Sequence, residues 1–209
     1  MGEHYFASRP GAASRLRTVD LVLPDLHLRL ETDRGVFSPD RIDPGTRILL
    51  ETVPAPPPAG ALLDLGCGYG PIALTLARRA PEAQVYGVDV NERALELARR
   101  NATAAGLDTV RFALADEIAP ELRFEAIWSN PPIRIGKAAL HDLLLTWLPR
   151  LTPGGRAHLV VQKHLGSDTL QRWLNEQGFP TDRLASRSAY RVLAVAARPE
   201  PTRTGDDTA

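Results

Sequence analysis

One stretch predicts the fold: Ala61-Leu62-Leu63-Asp64-Leu65-Gly66-Cys67-Gly68-Tyr69-Gly70-Pro71, in which a short apolar strand runs directly into a glycine turn. Glycine in such a turn allows positive φ and lets a ligand approach the backbone closely. Pro71 suits the first position of a helix, and an apolar helical pattern continues to Ala80. The stretch therefore indicates a strand, a turn and a helix built around a ligand-binding loop.

A second buried strand, Gln84 to Val88, ends in Asp89. Ligands bind at the carboxyl ends of strands in an open parallel sheet, and a carboxylate there suits the hydroxyls of a ribose. The turn reads G-x-G-x-G, whereas a dinucleotide site reads G-x-G-x-x-G, which argues against a nicotinamide dehydrogenase. Because Asp64 also places negative charge near the turn, a cationic adenosyl ligand such as S-adenosylmethionine (SAM) fits better than an anionic one.

The segment Asn130-Pro131-Pro132-Ile133 ends a third apolar run, Phe124 to Trp128. Two consecutive prolines fix the backbone and offer no amide hydrogen. The side-chain oxygen of Asn130 and the carbonyl of Pro131 are both acceptors, and together they suit one planar amino group. Asn-Pro is also a common turn initiator, so this segment by itself leaves a plain turn as an equal alternative.

Taken together, these motifs resemble those of class I SAM-dependent methyltransferases of the small-domain type. That group includes the RsmC-like enzymes, which methylate N2 of guanine in 16S ribosomal RNA. The motifs that carry the resemblance are Asp64 to Gly70, Asp89 to Ala94 and Ser129 to Lys137. The resemblance runs from His4-Tyr5-Phe6 and Gly35 to Ser38 through to Tyr190 to Leu193, and so covers nearly the whole ordered chain.

The resemblance implies a SAM cofactor and a specific set of site residues. The implied cofactor-binding residues are Asp64, Gly66, Gly68, Gly70, Asp89, Asp116 and Asn130. In this set Asp116 would hydrogen-bond the adenine amino group, although the sequence alone also allows it to be a helix cap. The implied catalytic group is Asn130, Pro131, Pro132 and Ile133.

The predicted fold is α/β: a Rossmann-like, seven-stranded methyltransferase sheet with an antiparallel edge hairpin, preceded by a small N-terminal β element. Alternating strands and helices after a Pro-rich linker indicate a parallel sheet covered on both faces. Two hairpins are predicted, Thr18–Leu23 with Leu26–Glu31 and Arg183–Arg187 with Tyr190–Ala197. The predicted organisation is an N-terminal β extension (1–55), a methyltransferase domain (56–198) and a disordered tail (199–209).

Composition limits the possibilities further. A chain of 209 residues with 44% hydrophobic content can bury one sizeable core. The sequence shows neither a membrane-spanning apolar run nor a signal-peptide pattern, which predicts a cytoplasmic protein. Cys67 is the one cysteine, and the five histidines lack metal-ligand spacing, so no metal site is expected.

The resemblance implies an RNA partner, and the charge distribution is compatible with one. The net charge is zero, with 25 basic and 25 acidic residues, but residues 4–19 and 129–165 are locally basic. Such stretches attract phosphates, although they also occur simply as solvated surface. The predicted partner is ribosomal RNA or the small ribosomal subunit, with Arg134 and Lys137 holding phosphates beside the acceptor base. The sequence leaves the oligomeric state open.

One departure keeps alternatives open. Many amino-methylating relatives carry an aromatic residue after the two prolines, whereas this chain has Ile133, which supplies no π-stacking. The same acceptor pair would also serve adenine N6 or a protein glutamine amide (N5). A non-catalytic SAM-binding scaffold is a further alternative, but such a subunit would not need the intact Asn130.

Overall fold

The computed structural model describes residues 15–199. His4-Tyr5-Phe6 and all but the first residue of the predicted disordered tail therefore lie outside the described residues. The strands are β1 (Arg17–Leu23), β2 (Leu26–Thr32), β3 (Ala61–Leu65), β4 (Gln84–Val88), β5 (Arg111–Ala113), β6 (Phe124–Ser129), β7 (Leu151–Gln162), β8 (Thr181–Arg187) and β9 (Tyr190–Ala196). The helices are α1 (Pro44–Thr52), α2 (Pro71–Arg79), α3 (Glu92–Ala104), α4 (Lys137–Trp147) and α5 (Ser167–Glu176).

Seven strands form one sheet in the order β5-β4-β3-β6-β7-β9-β8. The first five strands of that order pair in parallel, whereas β9 runs antiparallel to both β7 and β8. This arrangement confirms the predicted α/β sheet and its antiparallel edge hairpin. The strand order reverses at β3, which lies between β4 and β6, and such a reversal opens a crevice at the carboxyl ends of the strands.

The N-terminal hairpin is a separate two-stranded sheet, as predicted. Its strands pair antiparallel, with Leu23 opposite Leu26 at the turn. Alternate residues point inward, and Leu21 and Leu30 are fully buried. The hairpin thus presents one apolar face to the rest of the molecule.

Residues 44–52 form α1, a helix that the prediction of a hairpin or small sheet before residue 55 did not include. Asp43 caps this helix, since its Oδ2 accepts a hydrogen bond from the backbone amide of Thr46 at 3.0 Å. Pro44 occupies the first turn, and Ile48 and Leu49 are buried. Asp-Pro ahead of an apolar stretch is a known helix-start signal, so the sequence did contain evidence for α1.

Apolar clusters cover both faces of the large sheet. One cluster joins the hairpin, α1, α2 and α3 to sheet residues such as Leu62 and Trp128. The other joins α4 and α5 to residues such as Leu63 and Ile127. The hairpin and α1 therefore share a continuous core with the sheet and hold their loops against its carboxyl edge.

Asn101 of α3 ties the hairpin to the glycine turn. This buried amide accepts a hydrogen bond from the Glu31 amide at 2.7 Å and donates to the Glu31 carbonyl at 2.9 Å. It also donates to the Tyr69 carbonyl at 2.9 Å. One side chain thus connects the edge of β2 with the loop that follows β3.

Candidate active site

A cavity of about 560 Å³ lies at the carboxyl edge of the sheet. Its walls come from the ends of β3, β4, β6 and β7 and from the segment that leads into α1. Residues that line it include Phe37, Ser38, Asp43, Thr46, Gly66, Cys67, Gly68, Asp89, Val90, Ala115, Asn130, Pro131, Pro132, Ile133, Gln162, Leu165 and Tyr190. The structure thus brings seven of the predicted site residues to one cavity: Gly66, Gly68, Asp89, Asn130, Pro131, Pro132 and Ile133.

Two glycines of the turn serve different purposes. Gly68 has a φ of 54°, and a Cβ at this position would meet nothing within 4 Å, so its backbone borders open space. Gly70 has a φ of 96° and caps α2. It is closely packed, because an added Cβ would lie 3.3 Å from the Phe112 ring. Gly70 therefore fixes the conformation of the turn on the side away from the cavity, and it does not line the cavity.

Asp64 also lies behind the cavity wall. It is fully buried, and its Oδ2 accepts a hydrogen bond from the Ala73 amide at 2.9 Å. Its Oδ1 has no hydrogen-bond partner among residues 15–199. Burial raises the pKa of this carboxyl well above its usual value, and the charge of Asp89 raises it further. Asp64 therefore anchors the start of α2.

Asp89 faces the cavity and joins two loops. Its Oδ2 accepts a hydrogen bond from the Gly68 amide at 2.8 Å, and its Oδ1 accepts one from the Asn91 amide at 2.9 Å. Burial raises the pKa of this carboxyl, whereas the backbone hydrogen bonds act in the opposite direction. Each oxygen keeps a lone pair for a hydroxyl, and the exposed Val90 beside it offers an apolar surface, so the site fits an adenosyl group.

Two other predicted residues, Asp116 and Lys137, do not line the cavity, and for a third, Arg134, only the backbone is described. Asp116 is exposed on a short 3₁₀ turn (Ala115–Glu117) after β5, where its neighbour Ala115 reaches the cavity instead. Lys137 is exposed at the first turn of α4. The backbone of Arg134 lies in the 3₁₀ turn Ile133–Ile135, and its side chain is not among those described.

Asn130 is held in one orientation. Its Nδ2 donates to Asp43 Oδ2 at 2.8 Å and to Thr46 Oγ1 at 3.1 Å. Its Oδ1 has no hydrogen-bond partner in the described part of the chain, so this oxygen is the amide atom left for a ligand. The Pro131 carbonyl accepts one hydrogen bond, from the Ile133 amide at 2.8 Å, and keeps a second lone pair.

The remaining polar wall consists of Gln162 and Tyr190. Gln162 Nε2 donates to the Tyr190 hydroxyl at 2.9 Å, and both side chains line the cavity. Sequence reasoning missed these two residues, together with Asp43 and Thr46. Gln162 is the last residue of a buried strand, and its position at a strand end could have indicated a site residue.

Among the described residues, neither the cysteine nor potential metal-ligating side chains add a reactive or metal-binding group to the cavity. Cys67 is buried in the glycine turn, and burial raises the pKa of its thiol well above the usual value, as for a small packing residue. Within residues 15–199, no group of three or more His, Cys, Asp or Glu side chains is placed to hold a metal ion. None of the helices in this range is long and apolar enough to cross a membrane.

The sheet order and the cavity at its point of reversal define a class I SAM-dependent methyltransferase, with SAM as the methyl donor. The pattern of the methyltransferase small domain matches residues 27–194, and the chain belongs to that family, among its RsmC-like members.

Two relatives illustrate this membership. The chain is 35% identical over 196 residues to the uncharacterized protein YbxB of Bacillus subtilis, covering 92% of this chain and 98% of YbxB. It is 31% identical over 193 residues to ribosomal RNA small subunit methyltransferase C of Shewanella amazonensis, covering 90% of this chain and 55% of that protein. The chain thus spans nearly all of YbxB and about half of the methyltransferase C relative.

A solved structure supports the same conclusion. The T. thermophilus 16S rRNA N2 G1207 methyltransferase (RsmC), in complex with AdoMet and guanosine, aligns with a TM-score of 0.75 and 26% sequence identity. The alignment covers 90% of this chain and 52% of that chain. The shared part therefore corresponds to about half of the longer enzyme.

Proposed function

We propose that this protein transfers a methyl group from SAM to N2 of a guanine in 16S ribosomal RNA. The observation that carries the proposal is the orientation of Asn130, whose Nδ2 is fully engaged by Asp43 and Thr46. Its Oδ1 and the Pro131 carbonyl then act as acceptors for the two hydrogens of an amino group. The choice of guanine in ribosomal RNA is supported by the likeness to RsmC and its relatives.

The chain's residues act mainly by orientation. When bound, SAM supplies an activated methyl group on its sulfonium. Asn130 and Pro131 hold the acceptor nitrogen in line with that group, and orientation of this kind can lower a barrier by several kcal/mol. An exocyclic amine is a poor nucleophile because its lone pair is delocalised into the ring. Hydrogen bonds to both of its hydrogens would return electron density to nitrogen as charge develops in the transition state. As the N–C bond forms and the S–C bond breaks, the nitrogen would release one proton through the acceptor pair or to water.

The cofactor assignment extends this proposal. Asp89 would accept hydrogen bonds from the ribose hydroxyls, and the open backbone at Gly66 and Gly68 would face the methionine part. Asp64 and Gly70 would act from behind the turn by fixing the start of α2. Asp116 would approach the adenine amino group from the rim.

The cofactor assignment predicts that Asp89→Ala weakens SAM binding. Loss of two charge-assisted hydrogen bonds corresponds to about 2 to 4 kcal/mol, and calorimetric titration with SAM would measure it. Glu96→Ala, on an exposed position of α3, is the control. Unchanged SAM affinity in the Asp89 variant would refute the assignment.

The function itself is tested by identifying the product. Labelled SAM is incubated with the protein and, separately, with small ribosomal subunits, naked ribosomal RNA, transfer RNA and release-factor protein, and each product is then digested. N2-methylguanosine from ribosomal material is the expected result. N6-methyladenosine or methylglutamine would replace the proposed acceptor, and no transfer to any substrate, with SAM still bound, would favour the scaffold alternative.

Asn130→Ala tests the role of the acceptor pair. We expect SAM affinity to stay within a few fold, because the side chain mainly contacts the acceptor amine. Turnover should fall by about a hundredfold or more, as for a lost transition-state contact. Full turnover in this variant would contradict the proposed chemistry.

A further inference from the structure

We propose that Asp43 is a positioning residue that fixes the Asn130 amide with its oxygen available to the acceptor amine. The proposal rests on the proposed function and deepens it. It makes the N-terminus of α1, rather than the Asn-Pro-Pro segment alone, responsible for the orientation of the acceptor site. Asp43 and Asn130 are 87 positions apart in the chain, and their side chains meet beside the cavity.

The Asp43 carboxylate has two partners on one oxygen. Oδ2 accepts the backbone amide of Thr46 at 3.0 Å and Asn130 Nδ2 at 2.8 Å. Thr46 adds a second acceptor for Asn130 Nδ2 through its Oγ1, at 3.1 Å. Both hydrogens of the amide nitrogen are therefore used by groups at the start of α1.

The reversed amide orientation is unfavourable for a specific reason. Turning the amide by 180° would place Asn130 Oδ1 against the Asp43 carboxylate and oppose two acceptors. The Thr46 hydroxyl can donate to the reversed Oδ1, but the carboxylate of Asp43 cannot, and the NH₂ group would then face the acceptor amine, which is itself a donor. The carboxylate thus selects the orientation in which transfer to an amine is possible.

The backbone of Gly45 lies close to the Asp43 carboxylate. A Cβ on Gly45 would lie 2.9 Å from Asp43 Oδ2 and 2.8 Å from the Tyr190 ring. The helix that follows is anchored by the fully buried Leu49 and by a hydrogen bond from Arg79 to the Leu50 carbonyl at 2.9 Å. Asp43 is therefore packed into a fixed place between α1 and the cavity.

The test separates the helix cap from the contact with Asn130. Serine is also a good N-cap residue, so Asp43→Ser preserves α1. Its hydroxyl lies one bond closer to the backbone than a carboxylate oxygen, and it does not hold Asn130. With small ribosomal subunits as substrate, we expect kcat to fall at least tenfold, while SAM affinity and the unfolding midpoint stay close to those of the wild-type protein.

Conservative replacement and a double mutant complete the test. Asp43→Asn supplies one amide oxygen that can accept both hydrogen bonds, and it should recover most of the lost kcat. In an Asn130→Ala background, Asp43→Ser should cause little further loss, because Asp43 acts through Asn130. Wild-type kcat in Asp43→Ser, or fully additive losses in the double mutant, would overturn the proposal.

Gly45→Ala is an independent variant that removes no hydrogen-bonding group. Alanine is the better helix former, so α1 is retained, but the new Cβ must displace the Asp43 carboxylate or the Tyr190 ring. We expect kcat to fall here too, but to fall little further in an Asn130→Ala background; a loss of the same size in that background would show action through Tyr190 and would count against the proposal. Full turnover in Asn130→Ala would instead refute the proposed function, so the two failures are distinguishable.

Discussion

His158 shows how a single buried residue sets a pH limit on the fold. It lies in β7, where its ring meets Trp128 edge-on with centroids 6.2 Å apart. Its Nδ1 has no hydrogen-bond partner in the described structure. Burial, with the charge of Arg156 as a smaller cause, lowers the pKa of His158 to about 4. The folded protein therefore holds the neutral imidazole.

This lowered pKa predicts a loss of stability in acid. The unfolded chain takes up a proton at His158 near pH 6.5, whereas the folded chain does so only near the lowered pKa of about 4. The contribution of neutral His158 is complete above pH 6.5 and is lost as pH falls towards 4, by at most about 3 kcal/mol. His158→Leu should flatten this part of the stability curve in urea unfolding, relative to the wild-type protein.

The matched control is His164→Gln, at an exposed histidine. If His158→Leu and the wild-type protein lose stability in parallel between pH 6.5 and 4, the assignment to His158 is wrong.

Some site residues could be predicted from the sequence, and others could not. Asp89 and Asn130 were predicted because each directly follows an apolar strand, where a parallel sheet presents its ligand-binding edge. Asp43 and Thr46 were not predicted, because their contacts with Asn130 join positions 87 and 84 residues apart. No local pattern specifies which loop meets the end of a strand.

Elements were predicted well where their periodicity was simple. Both hairpins were found because alternation of apolar residues and a short turn are local signals. Helix α1 was missed, since the alternating pattern before it was extended through residue 55. This helix has only nine residues of mixed composition, so the Asp-Pro cap at Asp43 was the main sequence signal for it.

Asn101 makes three of the hydrogen bonds that attach the N-terminal hairpin and the glycine turn to α3. Asn101→Ala would remove hydrogen bonds to both backbone groups of Glu31 and to the Tyr69 carbonyl, and it would leave buried polar groups without partners. We expect the free energy of unfolding to fall by about 2 to 4 kcal/mol in urea titration. SAM affinity should fall as well, because the glycine turn loses a support.

Glu96→Ala, on an exposed position of the same helix, controls for altered helix propensity. A wild-type unfolding midpoint in Asn101→Ala would show that apolar packing and the other polar contacts of the hairpin, such as that of Arg79 with Asp25, hold it without Asn101.

At the scale of the whole molecule, the proposed RNA binding would depend on how charge is distributed over the surface, because the chain carries 25 basic and 25 acidic residues. Replacing Arg134 and Lys137 by glutamine should weaken RNA binding and flatten its salt dependence. Each lost phosphate contact lowers the slope of log K against log salt by about one. Filter binding of ribosomal RNA at several salt concentrations measures both effects, and SAM affinity should not change.

Arg123→Gln is the control for this prediction. Arg123 is exposed and lies just before β6, at the opposite edge of the sheet from the cavity. Equal losses per charge removed, that is, half the loss of the double variant in the single-charge control, would mean that binding follows total charge rather than a local surface.

The cavity draws its walls from positions as far apart as Phe37 and Tyr190. Tyr190 begins β9, which inserts between β7 and β8 in the sheet. During synthesis, the glycine turn and Asn130 therefore emerge well before the last wall of the pocket. We therefore expect the cavity of the growing polypeptide to gain its last wall, and the proposed methyl transfer to ribosomal RNA to become possible, only once β9 has paired.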